Sequence, residues 1–216
     1  MRRRFYRISG KIFSRMERFR RKIGESELRA RLGSVYPSTV LEYPLEVPNP
    51  KAVRIGRGAR ISWFSALIVE SENAGDVVPQ IIIGEGSYLG NRCRIVANRK
   101  VQIGKNVLIA DDVSITDRVS DLEKEGKIRE FEVDIGDGSW IGENVCIAGD
   151  VRIGRNSVIG ANAVVCGDIP SYSVAVGSPV RIVKRFDFAR KRWEPTDAEG
   201  GFLKDENAPA FEVRSR

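Results

Sequence analysis

The sequence predicts an all-β fold, a parallel β-helix of hexapeptide repeats, and three observations predict it. Aliphatic residues recur every six positions: Ile135, Ile141, Ile147, Ile153, Ile159 and Val165 follow one another without a break. Ile83, Leu89, Ile95 and Val101 keep the same step upstream, as do Ile103, Ile109, Ile115 and Ile55, Ile61, Leu67. The next position is small in most repeats, as at Gly56, Gly84, Gly104, Gly136, Ala148 and Gly160. The position four after the aliphatic is Ser, Ala, Val or Cys, as at Ala59, Ser87, Cys93, Ser139, Ser157 and Ala163. A period of six fits neither a helix, at about 3.6, nor an alternating strand closed by a hairpin. It fits a triangular coil in which each hexad is one short strand and one turn, and three hexads close a coil of about 18 residues. The aliphatic points inward, the small residue lets the chain turn, and each coil needs a neighbour to cover its apolar layer. A β-sandwich would require irregular strand lengths and hairpin signals, which are missing from this stretch.

From the N-terminus, residues 1–33 read as a basic helical arm. Phe5, Ile8, Ile12, Met16, Phe19 and Ile23 are spaced as one face of an amphipathic helix. Residues 1–22 hold ten Lys and Arg against the single acid Glu17, a charge of +9 where the whole chain carries +7. The remainder is therefore acidic by two, so the basic balance belongs to the arm, and the chain is not read as nucleic-acid binding. A basic helix with Phe and Ile on its other face suits an anionic membrane surface; the alternative is a helix packed on the protein body. Residues 34–50, with Pro37, Pro44, Pro48 and Pro50, read as a linker. The β-helix domain is expected over 51–182. Its phase breaks mark insertions: Leu67 to Ile83, Ile95 to Ile103, and Ile115 to Ile135. The larger two are expected as loops 70–82 and 117–133, where functional residues would concentrate. Residues 183–216 are expected to form a hairpin, Val183–Phe186 with Lys191–Trp193, followed by a tail.

Cys93, Cys146 and Cys166 are three scattered cysteines without CxxC spacing, read as reduced interior residues. No run approaches a membrane span, and the basic N-terminus lacks the apolar stretch of a signal peptide. A cytoplasmic protein is expected, with peripheral contact at the inner membrane face through residues 1–22.

The residues Val133-Asp134-Ile135-Gly136-Asp137-Gly138-Ser139-Trp140-Ile141-Gly142, Ile153-Gly154-Arg155-Asn156-Ser157-Val158-Ile159-Gly160-Ala161, Asp168-Ile169-Pro170 and Gly177-Ser178-Pro179-Val180-Arg181-Ile182-Val183-Lys184 resemble the hexapeptide-repeat acyltransferases. The branch they resemble most is that of maltose/galactoside acetyltransferases and polysaccharide O-acetyltransferases, over about residues 51–193. The resemblance implies a left-handed β-helix, a homotrimer and active sites between adjacent prisms. It implies acetyl-CoA as co-substrate and a sugar, nucleotide-sugar or lipid-linked sugar as acceptor, in surface-polysaccharide assembly. The donor would meet backbone groups at Cys146–Ala148 and at Gly160, Ala161 and Ala163. The loop with Gly177, Ser178, Arg181 and Lys184 would meet its phosphates. Trp140 would border the acceptor or pack between subunits.

The chain departs from that branch in two places. The extension of relatives opens with Asp-His-x-His or Thr-His-Pro, one imidazole serving as general base. Here the stretch is Ile115-Thr116-Asp117-Arg118-Val119-Ser120-Asp121, with Arg118 and Ser120 at the histidine positions, and the chain has no histidine. A distant branch, tetrahydrodipicolinate succinyltransferase, is regarded as using a carboxylate, and Asp117, Asp121 and Glu123 are the candidates here. Asp117, next to a strand, is expected to be the catalytic group, with Arg118 and Ser120 lining the acceptor pocket. Where relatives carry Thr-Lys-Asp, this chain has Cys166-Gly167-Asp168, so one phosphate cation is replaced by glycine.

No metal is expected: the fold's zinc enzymes, the gamma-class carbonic anhydrases, use three histidines. A nucleotidyltransferase would need a Gly-rich α/β domain, and a cysteine nucleophile a partner imidazole. Two readings stand: an acyltransferase working without histidine, or a catalytically inactive trimeric scaffold of glycan assembly.

Overall fold

The computed structural model describes residues 24–32, 34–70, 80–120, 128–197 and 200–203. Most of the basic arm, most of loop 70–82, Asp121 and Glu123, and the tail beyond 203 lie outside the described residues.

The chain winds a left-handed β-helix with three parallel faces. The first face stacks Ser34–Val35, Val53–Ile55, Gln80–Ile83, Lys100–Ile103, Glu132–Ile135 and Val151–Ile153. The second stacks Val40–Leu41, Arg60–Ile61, Tyr88–Leu89, Leu108–Ile109, Trp140–Ile141, Val158–Ile159 and Ser173–Val176. The third stacks Ala66–Val69, Arg94–Ala97, Ser114–Thr116, Cys146–Ala148 and Val164–Val165. The register aligns the six-residue aliphatics directly: Ile55 on Ile83, Ile83 on Ile103, Ile103 on Ile135, Ile135 on Ile153. These side chains are sealed from water and form one continuous column.

The small residue after each aliphatic has a reason other than the turn. A Cβ on Gly56 would lie 2.6 Å from the Glu85 nitrogen of the next coil, and one on Gly136 2.5 Å from the Arg155 nitrogen. Close stacking of coils excludes a side chain there. The left-handed residue of the turn comes two positions later, as at Gly58, Gly86, Asn106, Gly138 and Asn156. The fourth-position hydroxyls stitch coils together. Ser139 Oγ donates to the Gly154 carbonyl and accepts from the Ser157 amide; Ser87 does the same with Gly104 and Val107. Cys93 takes the serine position, its thiol donating to the Ala110 carbonyl.

Residues 34–50 are the first coil of the prism, not a linker. Ser34–Val35 and Val40–Leu41 pair in parallel with the coil that follows, Glu46 bridges Ala66, and Leu41, Leu45 and Val47 are buried. The prolines occupy corners and short links where no ladder N–H is needed. Residues 24–31 are helical, and Leu28 and Leu32 close the apolar column at this end. At the other end the second face continues antiparallel through Arg181–Asp187 and Arg192–Pro195.

Candidate active site

All three phase breaks fall on one edge of the prism, where the third face turns into the first. The chain leaves Val69 there and re-enters at Gln80; it turns at Asn98–Arg99 between Ala97 and Lys100; and it projects a hairpin between Thr116 and Glu132. The hairpin pairs Arg118–Ser120 antiparallel with Ile128–Glu130, and its base closes through the Phe131 amide donating to the Asp117 carbonyl.

Asp117 is fully buried under this edge. Its Oδ1 accepts from the Asn98 amide at 2.8 Å and from Asn98 Nδ2 at 3.3 Å. Its Oδ2 accepts from the amides of Arg99 at 2.7 Å, Lys100 at 2.8 Å and Asn98 at 3.1 Å. Five contacts occupy the lone pairs of the carboxylate. The structure therefore gives Asp117 a different task from the base expected at this position: it anchors the turn of the preceding coil and the root of the hairpin. No lone pair is left pointing at an acceptor hydroxyl.

Arg118, one residue on, is half-buried and reaches back across the Asn98 turn. Its Nη1 lies 2.8 Å from Glu70 Oε2, at the root of the first insertion. Arg99 Nε likewise meets Glu132 Oε1 at 2.9 Å. Ser120 ends the hairpin's first strand, paired with Ile128. Sequence reasoning missed Glu70 because its neighbours are distant in sequence; only strand order brings residues 70, 98 and 118 to one edge.

The expected donor residues divide by face. Cys146 and Ala148 point outward on the third face, in register with Ser114 and Thr116, so Ala148 lies beside the root of the hairpin. Continuing that column leads through Cys166, two coil spacings or about 10 Å from Thr116, to a cavity of about 300 Å³. Arg181, Cys166, Asp168 and Pro179 are among the residues lining it. Arg181 and Ser178 are exposed, and the Gly177 carbonyl accepts from the Val164 amide. Gly160 donates to the Ala175 carbonyl and Ala161 is exposed at the next corner. Ala163 faces the core, fully buried, so only its backbone is available, and its carbonyl already accepts from the Cys146 amide. Lys184 lies in the terminal antiparallel sheet, facing Val174.

Trp140 stands apart, on the second face, 52% exposed. It belongs to an outward row of Val40, Arg60, Tyr88, Leu108, Trp140, Val158 and Val174 in register. Within one chain it does not share a pocket with Asp117 and Arg118. Among the described residues no cluster of three metal-ligating side chains occurs, and no helix is long and apolar enough to cross a membrane.

Residues 132–167 match the family model for the bacterial transferase hexapeptide (six repeats). The chain is 40% identical to galactoside O-acetyltransferase of Escherichia coli K12 over 117 residues, 52% of this chain and 58% of that one. It is 29% identical to the putative lipopolysaccharide biosynthesis O-acetyl transferase WbbJ of the same organism over 168 residues, 72% of this chain and 83% of that one. The chain spans 58% and 62% of two of these relatives, the galactoside enzyme and a putative acetyltransferase of Saccharomyces cerevisiae. Among solved structures, AntD, an N-acyltransferase from Bacillus cereus in complex with dTDP and 3-hydroxybutyryl-CoA, shares the fold with a TM-score of 0.65 at 18% identity, over 75% of this chain and 87% of that one. A hexapeptide-repeat acetyltransferase from Vibrio cholerae superposes with a TM-score of 0.51 at 22% identity, over 77% of this chain and 81% of that one. With its hexad period, its prism of parallel faces and these relatives, the chain carries the bacterial transferase hexapeptide repeat over residues 132–167 and is similar to left-handed β-helix acyltransferases.

Proposed function

We propose that the protein transfers an acyl group from acetyl-CoA to the amino group of a sugar destined for a surface polysaccharide. The observation that carries this reading is the composition of the loop edge: the chain has no histidine, and Asp117 is consumed in holding the backbone. A hydroxyl acceptor needs a base throughout the reaction. An amine with a pKa of about 8 loses its proton to water and needs only to be placed. AntD, with which this chain shares a fold, is an N-acyltransferase bound to coenzyme A and dTDP-4-amino-4,6-dideoxyglucose, so such a prism accommodates that substrate pair.

The donor would run along Ala148, Cys146 and the Cys166 cavity, with Arg181 at its phosphates. Trp140 sits on another face, so a site holding both Trp140 and the hairpin requires a second copy; three copies closing around an axis supply it three times. The exposed apolar members of the second face, Val40, Leu108 and Trp140, fit burial in that homotrimer. The test is calorimetric titration with acetyl-CoA, followed by turnover with matched amino and hydroxyl sugars. Acylation of the amine alone is expected; equal transfer to the hydroxyl sinks the reading.

A scaffold without turnover is the second reading, favoured by Arg118 and Ser120 at the histidine positions. No binding of acetyl-CoA and no turnover would establish it. In either case the arm would bring the trimer to an anionic membrane at the cytoplasmic face.

A further inference from the structure

We propose that Glu70 and Arg118 together form the acceptor-recognition site, Glu70 binding the ammonium of an amino sugar and Arg118 a phosphate carried by the same molecule. The inference rests on the acyl-transfer reading above and deepens it.

The pair joins the roots of two insertions that are 48 residues apart in sequence and two coils apart in the stack. Both side chains are 34% exposed, neither sealed nor free. An ion pair at that exposure adds little stability, so cohesion alone is a weak reason for it. What the pair does is place one carboxylate and one guanidinium side by side on the edge that carries every insertion. Oε2 of Glu70 is held by Arg118, and among the described residues Oε1 accepts no hydrogen bond. Between them lies the Asn98–Lys100 turn, which Asp117 pins with three backbone bonds, so the floor of the site is rigid. Thr116 and Ala148, the start of the donor column, adjoin Asp117 and Arg118.

The charges of the edge fit a zwitterion. Glu70 pairs with Arg118, and Glu132 with Arg99, so carboxylates and guanidiniums stand side by side along it. An amino-sugar phosphate brings an ammonium for the Glu70 carboxylate and an anion for the Arg118 guanidinium. Arg118 presents its fork to phosphate more suitably than an imidazole would.

The chemistry balances without a protein base. The ammonium held by Glu70 releases a proton to water at the exposed edge. The amine nitrogen then forms a C–N bond to the thioester carbonyl carbon. The C–S bond breaks, the coenzyme A thiolate leaves and takes up a proton, and the nitrogen sheds a second proton to solvent. The net products are the amide, free coenzyme A and one proton.

The test is calorimetric binding of glucosamine 1-phosphate, galactosamine 1-phosphate and the corresponding neutral-sugar phosphates to the full chain, in wild-type, Glu70→Gln and Arg118→Gln forms. Wild-type protein should prefer the amino sugars by about tenfold, the scale of one charge-assisted hydrogen bond at a half-exposed site. Glu70→Gln should abolish that preference while leaving neutral-sugar binding unchanged. Arg118→Gln should weaken all of them. Thermal midpoints within about 2 °C of wild type, as expected for a surface pair, exclude misfolding. An amino-sugar preference that survives Glu70→Gln overturns the proposal, as does a wild type without preference. Coenzyme A titrated in parallel separates the two levels: bound donor without amino-sugar preference defeats this inference alone, and no donor binding defeats the acyl-transfer reading with it.

Discussion

Replacing Asp117 distinguishes an anchor from a base, because the two roles predict opposite patterns. In Asp117→Ala the amides of Asn98, Arg99 and Lys100 lose their acceptor at once. A hydrogen bond to a charged group contributes about 1.5–3 kcal/mol, and the three are not additive because they share one carboxylate. Arg99 is exposed, so water can reach part of the freed turn. The loss should therefore be about 3 kcal/mol, well below three full bonds. In a domain of this size about 1 kcal/mol moves the midpoint by about 2–4 °C, which gives a fall of about 6–12 °C. Asp117→Asn keeps one carbonyl oxygen but turns an NH₂ towards backbone donors, so it should fall by a smaller but measurable amount. Circular dichroism melts supply the midpoints, and amide hydrogen exchange should report lost protection at residues 98–100 in both variants. A general base predicts otherwise: Asp117→Asn would melt like wild type while its turnover fell by about 10²-fold. That pair of results would refute the structural role.

Three further outcomes follow from the same physical picture. Burial holds the Cys93 thiol up at about 11, against 9.0 when exposed, so the folded state keeps its proton more tightly than the unfolded chain. The contribution is present below pH 9 and is lost as pH rises from about 9 to about 11, some 2–3 kcal/mol. Urea titrations at pH 8 and pH 10.5 should show this loss in wild type and less of it in Cys93→Ser, whose hydroxyl can take the place Ser87 and Ser139 hold in other coils; equal losses would contradict it. Light scattering should give about three times the 24.1 kDa chain mass, and a monomer at micromolar concentration would end the shared-site reading. Deleting residues 1–22 should abolish binding to anionic vesicles at moderate salt while the β-helix circular dichroism persists; a wild type that ignores such vesicles removes the membrane role.

The sequence carried the repeat because the constraint is local and periodic. Every hexad must put one aliphatic inside, so Ile135 to Val165 announce six strands without any tertiary knowledge. The N-terminal coil escaped notice although Val35, Leu41 and Val47 keep the six-residue step: four prolines among residues 34–50 and no glycine after the aliphatics gave this stretch the look of a linker. The site was legible in part. The extension after Ile115 marked the edge, and Arg118 proved to lie on it. Asp117 looked like a free acid because its acceptor role depends on backbone amides about 17–19 residues upstream. Glu70, the partner of Arg118, was invisible because a pairing across two coils leaves no trace in spacing.

The concentration of insertions on one edge follows from how such a prism can vary. An extra residue within a strand would shift the aliphatic out of the column and break the register of every coil stacked on it. Two corners are also closed. Gly56, Gly84 and Gly136 lie against the neighbouring coil's backbone, and the turn into the third face repeats a left-handed residue at Phe64, Arg92, Asp112, Asn144 and Asn162. Among the described residues the remaining edge has no repeated glycine contact and no repeated left-handed residue, so it can absorb chain without disturbing the core. The roots of insertions two coils apart then lie on the same line and within reach of each other, as Glu70 and Arg118 do at 2.8 Å. A pocket on this fold is thus assembled from loops whose separation in sequence is set by the coil length, and its chemistry can change while the aliphatic column stays fixed. Arg118, set by the resemblance at an imidazole position, would be a change of that kind: it sets the charge of the edge and leaves Ile115 inside the column.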